Sequence, residues 1–200
     1  MAAGSLGKIA SGNAIALGET QRLRLLIPDA TFAPAFAAYW SRNRARFAPA
    51  SPSSGDVVCR ESHWQERLAR CPEMFEQGSG LTALLLREEQ LIGDLTFSNV
   101  TRGPLQACFL GYKIDGAWEG QGYMSEALGY AIDFVFATWH LHRIAANHRP
   151  ENTRSARLLR RLGFVVEGYA RDYLLLDGAW RDHVLTSLSN ANWRAGSKHG

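Results

Sequence analysis

The chain has little cysteine, little net charge and no long apolar run, and each shortage removes a class of protein. Three cysteines, Cys59, Cys71 and Cys108, are widely spaced and odd in number, which fits neither a disulfide framework nor a structural zinc site. The six histidines suggest no metal site either. No stretch approaches the roughly 20 apolar residues of a membrane span. A formal charge of +3 is too small to imply nucleic-acid binding, and basic residues are scattered except around Arg154, Arg157, Arg160 and Arg161. Met1 to Gly18 has small residues, one lysine and no compact hydrophobic block, so it reads as a flexible tail rather than a signal peptide. Residues 194–200 read as a second tail. What lies between, 19–193, is expected to be a single cytoplasmic domain, since 46% hydrophobic and 20% charged over 200 residues is ordinary for a globular protein.

Periodicity divides this domain into elements. Leu23, Leu25 and Ile27 alternate with Arg22 and Arg24, which predicts a first strand over Thr20 to Ile27. Asp29 is placed to cap a helix reaching Phe47. Trp64, Leu68, Cys71 and Phe75 share one helical face, with Pro72 set to split it. Leu81 to Arg87 and Gln90 to Asn99 read as a hairpin leading to a third strand around Cys108, all antiparallel. His142 to Asn147 is a short strand after a helical crossover, which favours parallel pairing. A helix behind Pro150 to Ser155 and a hairpin across Asp177-Gly178 complete an α+β fold with a mixed, mostly antiparallel sheet.

Gly120-Gln121-Gly122 lies between the Cys108 strand and a helix whose Met124, Ala127, Leu128, Ala131, Ile132 and Val135 form one apolar stripe. Amides at the first turn of a helix have no internal partners and, with the helix dipole, attract an anion. Two glycines let the backbone approach it closely. The common nucleotide loops are absent: no Lys-Ser/Thr follows Gly122, and there is neither a third glycine nor an acid some 20 residues on.

Gly120-x-Gly122 after a strand, Asn152-x-x-Ser155 further on and Leu162-Gly163-Phe164 after the next helix together resemble the GCN5-related N-acetyltransferases (GNAT). Glu61-Ser62-His63, Phe97-Ser98-Asn99-Val100, Leu110-Gly111-Tyr112 and Trp180-Arg181-Asp182-His183 look like the RimJ type within that family, whose members acetylate the N-terminal alanine of a small-subunit ribosomal protein. The likeness runs from about Arg22 to Trp193. It implies the GNAT acyltransferase fold with a splayed central strand pair, acetyl coenzyme A as co-substrate, and a protein N-terminus as partner, in a monomer or homodimer that reads no nucleic acid and enters no membrane. Two other functions stay open: acetylation of a small amine such as an antibiotic, polyamine or amino acid, and a non-catalytic ribosome-associated role.

The resemblance also assigns residues. Backbone amides of Gly120, Gln121, Gly122, Tyr123 and Met124 would hold the coenzyme's diphosphate, those of Tyr112, Lys113 and Ile114 would polarise the thioester carbonyl, and Asn152 would bond the pantetheine arm. Arg157, with Arg154 and Arg161, would meet phosphates, and Ser155 would protonate the departing thiolate or serve only as a helix cap. Two positions depart from the family: Ala117 stands where a glutamine or arginine usually begins the glycine loop, and Leu174 where a related enzyme has a glutamate base. An α-amine, with a pKa near 8, is about a tenth neutral at pH 7 and needs a weaker base than lysine does. Glu167 is the expected carboxylate to hold a proton-accepting water, or else a solvated strand residue. Tyr169, Tyr173 and Trp180 are expected to wall the peptide entrance.

Overall fold

The computed structural model describes residues 12–52 and 55–194. Eight strands form one sheet: β1 (Ile15–Glu19), β2 (Arg24–Ile27), β3 (Leu81–Arg87), β4 (Gln90–Thr101), β5 (Ala107–Ile114), β6 (Arg143–Ala145), β7 (Val165–Leu176) and β8 (Ala179–Ser189). Their order is β1-β2-β3-β4-β5-β6-β8-β7. Every pairing is antiparallel except β5 with β6. Five helices flank the sheet: α1 (Ala33–Phe47), α2 (Glu61–Ala69), α3 (Cys71–Glu76), α4 (Tyr123–Trp139) and α5 (Thr153–Arg161). The predicted α+β class and mixed sheet are what the chain adopts.

Local chemistry accounts for most of the boundaries. The Asp29 carboxylate accepts from the Thr31 amide at 2.9 Å and starts the turn that runs into α1. Pro72 sits in the first turn of α3 and separates it from α2. All six stripe residues of α4 are buried, and a fully buried leucine such as Leu128 contributes about 2 kcal/mol through lost apolar exposure. The long β4 and β5 hold the middle of the sheet in register, with Leu95 opposite Tyr112 and Asp94 opposite Lys113.

The tail expected over Met1 to Gly18 is corrected at its inner end. Ile15–Glu19 forms an edge strand on β2, Leu17 is buried, and the Tyr130 hydroxyl donates to the Leu17 carbonyl at 2.9 Å. Pairing and a contact from α4 order a segment with little strand propensity of its own. Residues 1–11 and 195–200, where the rest of both tails was expected, lie outside the described residues.

Candidate active site

Gly120 and Gly122 both take positive φ, +74° and +84°. Gly122 is the N-cap of α4 and offers no side-chain cap, which leaves the first-turn amides of Tyr123, Met124 and Ser125 open to an anion. A Cβ at Gly120 would meet no atom within 4 Å, so a side chain there would project into open space over the loop. The loop is clamped from outside. Arg22 donates to the Gln121 carbonyl at 3.0 Å and to Glu126 at 2.6 Å, and its guanidinium lies 4.3 Å from the centre of the Tyr123 ring. Burial works against the charge on Glu126, but bonds from Thr20 and Arg22 outweigh it and hold its pKa below the ordinary value. Glu119 pairs with both Arg46 of α1 and Arg154 of α5.

β5 carries the loop's other flank. It pairs with β6 only from Ala107 to Phe109, after which β6 gives way and Ala146 bonds to Thr186 of β8. The strands therefore splay beyond Phe109. The Asp115 amide donates to Ile92 at 2.8 Å, and with Gly93 opposite Ile114 the antiparallel alternation turns the Lys113 amide toward β4 as well. The amides of Tyr112 and Ile114 face the gap. Of the three strand residues named from sequence, Lys113 does not belong with the other two. Its ammonium instead lies 5.3 Å from the centre of the Trp40 ring, against α1.

Tyr112 points to the opposite face, and its hydroxyl meets Ser155 Oγ at 2.5 Å. Asn152 caps α5, accepting from the Ser155 amide at 3.0 Å, so the Ser155 side chain is free of capping duty. Burial pushes the Tyr112 hydroxyl up to about 12. Both hydroxyls of this pair are neutral donors beside the splay. Arg157 is exposed on the outer side of α5.

Glu167 is elsewhere. It accepts from Ser187 at 2.7 Å and is paired with Arg143, and these bonds hold its carboxyl below the usual range. Ser187 shares a sheet face with Ala145 and Phe109, which strand alternation sets opposite to Tyr112 and Ser155. A carboxylate already satisfied by two donors is a poor proton acceptor at neutral pH. The three entrance aromatics do not form one wall: Tyr173 packs on His183 at 5.5 Å, whereas Tyr169 and Trp180 project from the other face of the hairpin, more than half exposed.

Residues 22–165 match the Acetyltransferase (GNAT) domain model. The chain belongs to the GNAT acetyltransferase family. It is 48% identical over 162 residues to the ribosomal protein uS5-alanine N-acetyltransferase of Escherichia coli (strain K12), covering 80% of this chain and 84% of that one. The ribosomal-protein-S5-alanine acetyltransferase of Vibrio fischeri superposes with a TM-score of 0.84 at 35% identity, covering 88% of this chain and 98% of the other. Mycobacterium smegmatis RimJ in complex with CoA-disulfide gives 0.78 at 30% identity over 84% and 81%. The mixed sheet and flanking helices of this acetyltransferase are thus the fold that it shares with those relatives.

Sequence reasoning passed over two parts of this acetyltransferase. In sequence Arg22 is only the polar half of a strand, and its distance from the loop closes in the fold. Asp94 was missed outright, and a signal existed: it is the one acid within the apolar run Leu91-Ile92-Gly93-Asp94-Leu95. The side chain is buried under α1, and its Oδ1 has no hydrogen-bond partner among the described residues. The fully buried Tyr39 hydroxyl faces the same carboxyl from α1 and is the polar group that opposes its rise in pKa from that side. Burial pushes the Asp94 carboxyl up to about 6, against the opposing pull of Lys113 and Tyr39.

Proposed function

We propose that this acetyltransferase moves an acetyl group from acetyl coenzyme A to a protein N-terminal α-amine, the N-terminal alanine of ribosomal protein uS5. The carrying observation is the juxtaposition of an uncapped α4 N-terminus, a splayed β5 with inward amides and the Tyr112–Ser155 hydroxyl pair. The identity to a relative named for uS5 alanine supports the choice of acceptor. Bound acetyl coenzyme A supplies a thioester, whose carbonyl carbon is open to a neutral amine.

In this reading the Gly120 to Met124 amides neutralise a diphosphate without the side chain missing at Ala117, and Arg22 keeps that loop in shape. Asn152 holds the first turn of α5 so that Ser155 faces the gap, and the exposed arginine Arg157 is free to meet a phosphate. The Tyr112 and Ile114 amides stabilise the negative charge that develops on the carbonyl oxygen. The amine attacks directly, and the thiolate takes its proton through Ser155 and Tyr112. An assay of free-thiol release with a peptide beginning in alanine tests this. Turnover is expected with that peptide and is expected to vanish when its α-amine is blocked; acetylation of a lysine side chain or a polyamine instead would refute the acceptor.

A further inference from the structure

We infer that Asp94, acting through a water seated over Gly111, accepts the proton that the substrate amine loses. The inference rests on the acetyl-transfer reading above. It starts from a buried carboxylate whose Oδ1 has no hydrogen-bond partner among the described residues, a destabilising arrangement that packing alone does not explain.

Asp94, Thr96, Gly111 and Lys113 lie on one face of the β4–β5 ladder, Asp94 opposite Lys113 and Thr96 opposite Gly111. Gly111 is thus a diagonal neighbour of Asp94 on the strand that borders the splay. Diagonal positions in such a ladder stand some 7–8 Å apart, and the Asp94 side chain reaches across part of that span, which leaves room for one bridging water above Gly111. The room for it exists: a Cβ at Gly111 would meet nothing within 4 Å. Elsewhere the carboxylate is walled in. Leu84 lies opposite it on β3, Tyr39 covers it from α1, and Lys113 faces it from β5 with its ammonium drawn to Trp40. Arg42 and Asp115, further along, neutralise each other at 2.5 Å. Space over Gly111 is the open side.

The substrate ammonium gives one proton through the water to the Asp94 carboxylate, and the neutral amine forms the N–C bond to the thioester carbon. As the C–S bond breaks, the second nitrogen proton passes by way of the Ser155 and Tyr112 hydroxyls to the sulfur. Asp94 then returns its proton to solvent. A carboxyl that titrates near 6 is ionised at neutral pH yet basic enough to serve. Lys113 on the same face adds a like charge that discourages a bound ammonium and so favours proton loss.

The test compares Asp94→Asn and Gly111→Ala with the unaltered protein across pH 5 to 9, on whichever of an alanine-starting peptide or a lysine amine the latter acetylates. Asp94→Asn is expected to lower kcat about 100-fold and erase the acid limb of the kcat profile, with coenzyme affinity by calorimetry unchanged. Gly111→Ala, which fits without a clash, is expected to lower kcat about tenfold through loss of the water. Full kcat with an intact acid limb in Asp94→Asn overturns the inference while leaving acetyl transfer standing. Absence of turnover on any amine by the unaltered protein overturns both.

Discussion

Glu167 and Asp94 are carboxylates on the same face of one sheet, and nearly everything that sets a proton affinity differs between them. Glu167 stands on the exposed final hairpin with two donors, Ser187 and Arg143, and stays ionised to low pH. Asp94 is buried in the middle of β4 without a donor on Oδ1, and its proton is held to about pH 6. Accepting a proton at neutral pH demands that the charge be uncomfortable. The hairpin satisfies its acid; the sheet's centre does not.

Four experiments put that contrast at risk, beginning with the one that must leave both acids untouched. Gly122→Val places a β-branched residue at φ +84° with its Cβ 3.3 Å from the Arg22 guanidinium, and is expected to weaken acetyl coenzyme A more than 100-fold in calorimetry. Equal weakening by Asp94→Asn or Glu167→Gln would tie the acids to coenzyme binding and dissolve the comparison. Next is stability. The folded pKa of Asp94 lies above the ordinary 3.8, so its favourable contribution is complete below about pH 4 and is lost as pH rises through about 6, leaving a cost near 3 kcal/mol at neutral pH. Asp94→Asn should therefore raise Tm at pH 7.5 by roughly 6–12 °C, with the gap closing below pH 4 in thermal scans. A lower Tm at pH 7.5 would make Asp94 structural.

Ser155→Ala, read by thiol release, should lower kcat about tenfold at constant coenzyme affinity, because Tyr112 remains as a slower donor. An unchanged rate would reduce Ser155 to a first-turn residue of α5. The smallest effect is expected from Glu167→Gln: kcat within threefold, and a stability loss under about 1 kcal/mol, as befits a half-exposed ion pair. The folded pKa of Glu167 is depressed, so its contribution is present above its unfolded value near 4.5 and fades as pH falls through the folded one. Urea titrations of the two proteins should differ slightly at pH 7 and converge in strong acid. A 100-fold drop in kcat would return the proton-accepting role to the hairpin.

Legibility followed sequence distance. The glycine turn, the α4 stripe, the Asn152 cap and the Pro72 break are set by neighbours within a few residues, and the chain states them openly. Ile15–Glu19 becomes a strand only because β2 and Tyr130 accept it, so its small residues passed for a tail. Arg22 meets the glycine loop across 99 residues of chain. The strand alternation that removes Lys113 from the gap, sends Trp180 away from Tyr173 and parts Glu167 from Ser155 becomes definite only once register is known. Asp94 is legible as an oddity, an acid in an apolar run, but its unpartnered Oδ1 among the described residues belongs to the packing of α1.

The splay between β5 and β6 has a kinetic consequence. The gap opens to both sheet faces, with the hydroxyl pair on one and Asp94 on the other, so two substrates need not pass each other to meet. Cys108, a thiol on β5, is buried and pushed up to about 12, so it is not a ready nucleophile to carry the acyl group in between. Reciprocal plots at varied concentrations of both substrates should intersect rather than run parallel, the signature of a ternary complex.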